Sequence, residues 1–182
     1  MTVRRAKALL SLLGLAALLS CDSPQISWLW KTFEHPTYRF TVRVPRGWTI
    51  KRDGLLGSAV AFLASDEDPL YRANANIVVE LWKDNKSLDT LADQAVQHLT
   101  FLMNDYELLS RAPTRLGNLR AIELRGRYRG PEGLRILRTV IGLSEDTYYI
   151  ATFSCREDRE EAFQGTFDVM RTSFLAVPNL SR

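Results

Sequence analysis

The stretch from Leu119 to Cys155 limits the fold of this chain more than any other part of the sequence. Alternating segments occupy residues 119–128, 134–143 and 147–155. The separators, Gly-Pro-Glu-Gly at 130–133 and Ser-Glu-Asp at 144–146, carry strong turn signals. Strands of this length joined by such short turns pair with their sequence neighbours. The pattern therefore predicts an antiparallel meander of three strands.

Further strands and two helices are predicted around this meander. Residues 38–44 alternate strictly, and shorter strand patterns lie at 59–63 and 76–82. Ser87 is a typical N-cap, and apolar residues at helical spacing follow it to Met103. A second helical pattern covers 158–174. This order predicts an α+β domain in which an antiparallel sheet of about six strands is sandwiched between helices.

The first twenty residues have the composition of an export signal. Arg4, Arg5 and Lys7 precede an apolar run from Ala8 to Leu19. That run is shorter than the roughly 20 residues that a membrane-spanning helix needs. The run ends in Leu-Leu-Ser before Cys21, a pattern that resembles the lipobox at which bacteria attach a diacyl lipid to cysteine. The alternatives are an ordinary secretory signal with an incidental cysteine, or an uncleaved anchor.

These features predict a signal peptide at 1–20, a lipidated N-terminus and tether at 21–33, and one domain at 34–178. Two tryptophans, Trp28 and Trp30, lie in the tether. Their rings could rest at the bilayer interface, where Trp is enriched, or pack on the domain, and we favour packing.

The charge balance argues against nucleic-acid binding. The chain has 24 Lys and Arg against 21 Asp and Glu. Arg4, Arg5 and Lys7 belong to the signal, so 24 minus three leaves 21 basic and 21 acidic residues after its removal. The chain without its predicted signal therefore lacks the overall excess of positive charge that is typical of nucleic-acid-binding proteins.

Cys155 would be the only thiol left if Cys21 is lipidated, so no disulfide is predicted. It ends the alternating series Tyr149, Ala151, Phe153, and we interpret it as a small apolar core residue rather than a redox group.

Three short motifs resemble those of the PsbP-like proteins, whose fold is shared by DcrB-type bacterial lipoproteins. The first is Phe40 followed by Pro45 and Trp48; the second is the Asn-Ile-Val-Val run at 76–79 before the Ser87 helix start. The third joins Tyr-Tyr-Ile at 148–150 to Thr-Ser-Phe at 172–174. The resemblance implies a PsbP-like α-β-α sandwich. It also implies a photosystem II-associated lumenal lipoprotein, linked to calcium and manganese, if the source is a phototroph.

No catalytic constellation is found in the sequence. The two histidines, His35 and His98, are too few for a multi-histidine zinc site, and no Gly-rich phosphate loop occurs. Adjacent carboxylates at 66–68 could offer oxygen ligands to calcium or manganese, but such loops are more often solvated. We predict no metal, no cofactor and no enzymatic activity. An uncharacterised envelope enzyme is the alternative, which would gain support from His98 facing a polar cleft beside a carboxylate.

An arginine-rich segment is the most unusual part of the predicted domain. Arg125, Arg127 and Arg129 alternate with apolar residues and should project from one sheet face. That face is either solvated, which resists edge-to-edge pairing, or a docking surface for an acidic partner or anionic headgroups. Together these features predict an envelope lipoprotein, bound to the membrane by its lipid and facing the periplasm, lumen or exterior. We expect it to act as a non-enzymatic binding or assembly module for a membrane-associated complex.

Overall fold

The computed structural model describes residues 29–52, 57–65, 70–81, 87–144 and 147–177. The predicted signal peptide, the predicted lipidation site Cys21, Trp28 and the carboxylates at 66–68 lie outside these residues. The described elements follow one another in this order: β1 (Trp30–Glu34), β2 (Phe40–Pro45), β3 (Thr49–Lys51), β4 (Val60–Leu63), β5 (Asn74–Leu81), α1 (Leu88–Leu102), β6 (Glu107–Leu116), β7 (Leu119–Gly130), β8 (Gly133–Leu143), β9 (Thr147–Arg156), a 3-10 turn (Glu157–Arg159), α2 (Glu160–Ser173) and β10 (Leu175–Ala176).

The strands form two antiparallel sheets. The larger has seven strands in the order β3-β4-β5-β9-β8-β7-β6, and the smaller has the order β1-β2-β10. The predicted meander is confirmed as β7-β8-β9, with Gly130 paired to Gly133 at the first turn. The prediction of an antiparallel sheet with packed helices is also confirmed, although the strand at 38–44 belongs to the smaller sheet.

The two helices cover opposite faces of the larger sheet. Leu91 and Ala92 of α1 pack on Ile122, Leu124 and Ile141. On the other face, α2 supplies Phe167 and Met170 to the main core. Side chains alternate across a strand, so neighbours such as Ala121 and Ile122 join different cores. The fold is therefore a sandwich, as the sequence predicts.

The start of α1 is capped as predicted. The Thr90 amide donates to Ser87 Oγ at 3.1 Å, and Asp89 lies in the first turn. A hydroxyl at this position satisfies an amide that the helix cannot bond itself.

Four edge strands, β1, β3, β6 and β10, were not predicted from the sequence, and two of them, β1 and β6, change the interpretation. The predicted tether at 21–33 is too long, because Trp30–Glu34 is β1 and pairs with β2 along its whole length. Phe33 is buried in the core, and Trp30 packs against it. β6 was also missed, because Pro113 and a register shift after Leu108 disrupt its alternation. Both features are tolerated at a sheet edge.

Candidate binding surfaces

The three arginines of the predicted docking face are engaged by carboxylates of the same chain. Arg125 donates from Nε and Nη2 to the two carboxylate oxygens of Glu160, at 2.7 and 2.6 Å. Arg127 pairs with Glu107 at 2.6 Å and with Glu157 at 3.2 Å. A partner carboxylate at these positions would compete with existing ion pairs.

These contacts alter the ionisation of the groups that make them. The hydrogen bond from Arg125 holds the pKa of the Glu160 carboxyl below its ordinary value, although partial burial opposes this. The reciprocal hydrogen bond raises the pKa of Arg125. Both pKa shifts favour the charged forms of Arg125 and Glu160, and this ion pair attaches the first turn of α2 to β7.

Arg138 forms the most buried part of this arginine face. It bonds Glu123 at 2.8 Å and Asp168 at 3.0 Å, and its side chain is 12% exposed. Burial disfavours its charge, but the bonds from Glu123 and Asp168 outweigh that effect and raise its pKa. The prediction of a single solvated or docking face therefore requires revision, because α2 lies over this part of the sheet and uses the arginines as attachment points.

Arg129 differs from the other two predicted docking residues. Its side chain is 60% exposed, and its pairing with Asp105 at 3.1 Å involves a carboxylate that is 73% exposed. Its amide donates to the carbonyl of Asn104 in the turn after α1. Of the three arginines, Arg129 is the most exposed and therefore the most accessible to an external carboxylate.

The end of α1, next to Arg129, exposes two large apolar side chains. Phe101 is 86% exposed and Leu102 is 58% exposed. The chain then turns at residues 103–106 into β6, where Leu108 is 38% exposed. We call Phe101, Leu102, Leu108 and Arg129, which flank or contact the turn between α1 and β6, the helix-end surface. Leu102 was expected in the core because it continues the predicted apolar stripe of α1, whereas Phe101 lies outside that stripe, and this spacing is the signal that could have indicated its exposure.

A second aromatic and charged cluster serves the fold. The Arg135 guanidinium lies 3.9 Å from the centroid of the Tyr71 ring, bonds Tyr128 and forms a close ion pair with Glu132. The Tyr71 hydroxyl donates to Ser154 at 2.9 Å. Burial raises the pKa of Tyr71 to about 12, so its phenol stays protonated at neutral pH. The cluster ties the segment before β5 to the β7–β8 turn.

The two histidines do not converge. His35 is buried in the β1–β2 turn, where its Nδ1 accepts the amides of Thr37 and Tyr38. Its Nε2 lies 3.3 Å from the carbonyl of Ala59. His35 therefore belongs to the folded domain. His98 is exposed on α1 and, within the described part of the chain, has no hydrogen bond or ion pair.

The described residues contain no group of three or more His, Cys, Asp or Glu side chains arranged to hold a metal ion. Cys155 is buried as predicted, with 1% exposure, and desolvation raises its pKa to about 12. Within the described ranges, no helix combines the length and apolar character needed to cross a membrane.

Comparison with solved structures identifies the architecture. Cyanobacterial PsbP (CyanoP) from Synechocystis aligns with a TM-score of 0.63 and 17% identity, over 88% of this chain and 99% of that chain. LpqN of Mycobacterium tuberculosis, a protein involved in cell envelope biogenesis, aligns with a TM-score of 0.62 and 14% identity, over 82% and 91%. A Pseudomonas aeruginosa protein of unknown function aligns with a TM-score of 0.59 and 11% identity, over 82% and 99%.

No family model matches this sequence, and no curated protein does so either. The likeness to the solved structures shows that the chain has the PsbP-like fold. This confirms the fold that the sequence resemblance implies.

Proposed function

We propose that this chain is a lipoprotein of the bacterial cell envelope, anchored through Cys21, that acts as a non-enzymatic binding module for a membrane-associated complex. The export-signal pattern before Cys21 supports the location. LpqN, which has the same fold, is involved in cell envelope biogenesis, and this supports a position in the envelope. Fold alone does not choose between the roles of proteins that share it.

The helix-end surface carries the binding part of this proposal. Leaving a Phe or Leu side chain in water forgoes about 1.5–3 kcal/mol of burial each. Exposed apolar groups beside a charged rim are typical of protein interaction sites. Aromatic and arginine side chains are also enriched among residues that dominate binding. Phe101 as an apolar anchor and Arg129 as a charged neighbour fit a partner that offers an apolar pocket beside a carboxylate.

Photosystem-associated and enzymatic functions are the other candidates. The likeness to CyanoP favours the former only if the source is a phototroph, and the likeness to LpqN does not point there. The enzymatic alternative would gain support from His98 facing a polar cleft beside a carboxylate, and His98 lies exposed on α1. The helix-end surface therefore favours the binding module.

The location is tested by replacing Cys21 with Ser in cells fed labelled palmitate. We expect labelling to disappear and the protein to shift out of the membrane fraction. Equal labelling of both proteins would refute the lipid anchor.

The binding role is tested with a photo-crosslinking amino acid at Phe101 in intact cells. The matched control places it at Gln97, which is exposed on the same helix. We expect the Phe101 probe to capture a subunit of a membrane complex, and Arg129→Glu to reduce the yield. The same adducts from both positions, or none from Phe101, would contradict the assignment.

A further inference from the structure

The first described segment is strongly basic, although the chain without its signal is balanced. Residues 29–52 contain six basic side chains and one acidic side chain, Glu34. The basic side chains are Lys31, Arg39, Arg43, Arg46, Lys51 and Arg52. This segment therefore concentrates positive charge at the start of the domain.

Three of these residues, Lys31, Arg46 and Arg52, belong to the region where β1, the turn between β2 and β3, and the end of β3 come together, and Lys51 is the exposed last residue of the edge strand β3. Lys31 Nζ donates to the carbonyls of Arg46 and Trp48, both at 3.2 Å. Arg52 lies 5.3 Å from the ring centroid of Phe33, the residue two positions after Lys31 on β1. We call Lys31, Arg46, Lys51 and Arg52 the basic edge.

The charges of the basic edge are not neutralised by the part of the chain that the structure describes. None of its four side chains forms an ion pair there, whereas Arg125, Arg127 and Arg138 all do. Arg46, Lys51 and Arg52 are exposed, and Lys31 bonds neutral carbonyls. Uncompensated cations on one surface create a local positive potential.

The chain enters the domain within this same surface. The Arg46 amide donates to the carbonyl of Leu29, the first described residue, at 2.9 Å. Seven residues lie between Cys21 and Leu29, and the eight steps from one to the other can span at most about 28 Å when fully extended. A lipid on Cys21 would therefore hold the basic edge close to the headgroups of its own membrane.

We infer that the basic edge docks on anionic lipid headgroups of the membrane that carries the anchor. This inference rests on the lipid anchor of the proposed function. Clusters of Lys and Arg beside a lipid chain bind anionic bilayers more firmly than either signal alone. β3 and β7 are separated by five strand spacings in the larger sheet, on the order of 25 Å. Docking consequently turns the helix-end surface, which lies beside β7, away from the bilayer.

The test uses the full lipidated protein reconstituted in vesicles, with a fluorescent donor attached at Thr49→Cys and an acceptor on the lipid headgroups. Thr49 is exposed beside the basic edge, while the native thiol of Cys155 is buried. A second donor position, Gln97→Cys on α1, reports the opposite side. Vesicles contain phosphatidylcholine alone or with added phosphatidylglycerol.

We expect energy transfer from Thr49 to rise when phosphatidylglycerol is present and to fall with added salt. The variant Arg46→Glu with Lys51→Glu should lose this rise. The matched control, Arg115→Glu with Arg120→Glu, makes the same charge change near the other edge of the sheet and should keep it. Transfer from Gln97 should stay low throughout.

Equal transfer from Thr49 on both vesicle types, or the same loss in both double variants, would overturn the docking inference. A flotation assay, which measures whether the protein moves with the vesicles, tests the lipid anchor separately. Protein that does not float with the vesicles would overturn the anchor on which the inference rests, whereas floating protein without lipid-dependent transfer overturns docking alone.

Discussion

Arg125 and Glu160, which are 35 residues apart in the sequence, form a bidentate ion pair that joins the middle of β7 to the first residue of α2. The carboxylate also lies at the N-terminal end of its helix, where negative charge is favoured. The arginine that sequence reasoning placed on a docking face thus holds a helix on the sheet.

The coupling between Arg125 and Glu160 should be measurable. We expect a double-mutant cycle of Arg125→Gln and Glu160→Gln to give a coupling free energy of about 1 kcal/mol, because the ion pair is half-buried and bidentate. Urea denaturation of the four proteins measures it. The control cycle, Arg129→Gln with Asp105→Asn, should give about 0.2 kcal/mol, since that pair is far more exposed. Equal coupling in the two cycles would contradict the assigned role.

The same pair predicts a pH dependence. The pKa of Glu160 is lowered from 4.5, so its stabilising effect is present above that value and is lost as pH falls through the lowered pKa. The stability difference between the wild type and Glu160→Gln should therefore be constant from neutral pH down to about 5 and then shrink. Denaturation curves across this range measure it. A difference that grows on acidification would have the wrong sign.

Gly117 should resist substitution. It lies in the β6–β7 turn with a φ of 54°, and a Cβ there would sit 1.5 Å from the carbonyl oxygen of Phe174. We expect Gly117→Ala to lower the free energy of unfolding by more than about 2 kcal/mol, through strain and a backbone clash. Gly165→Ala is the matched control, because nothing lies within 4 Å of its Cβ and it is inside α2. That control should be neutral or stabilising by up to about 1 kcal/mol.

Cys155 should react slowly with thiol reagents. Burial raises its pKa to about 12, so little thiolate forms at pH 8 and the reagent has no access. Because the pKa of Cys155 in the folded protein lies above the ordinary value of 9.0, the stabilising contribution of the protonated thiol is present below pH 9.0. That contribution is lost as the pH rises from 9.0 towards the folded pKa of about 12. Modification followed by mass spectrometry, with and without denaturant, tests this. Immediate full modification of the folded protein would show that the thiol is accessible.

Several parts of the fold could be predicted because their signals are local. The Ser87 cap, the α1 stripe and the alternation of β7 to β9 reflect burial on one side of a single element. The edge strands β1 and β6 could not be recognised in the same way. An edge strand pairs on one side only, so it tolerates Pro113 and a register shift that break the pattern.

The sequence by itself determined the two helices, the central strands β7 to β9 and the buried thiol of Cys155, because periodicity follows directly from residue type. Only the tertiary structure decided which arginines form ion pairs with carboxylates and which form none among the described residues. Arg125 meets Glu160 through the packing of α2 on the sheet, whereas Arg46 and Lys51 have no such carboxylate among the described residues. Ion pairing depends on distances between residues remote in the chain, and no local pattern in the sequence encodes those distances.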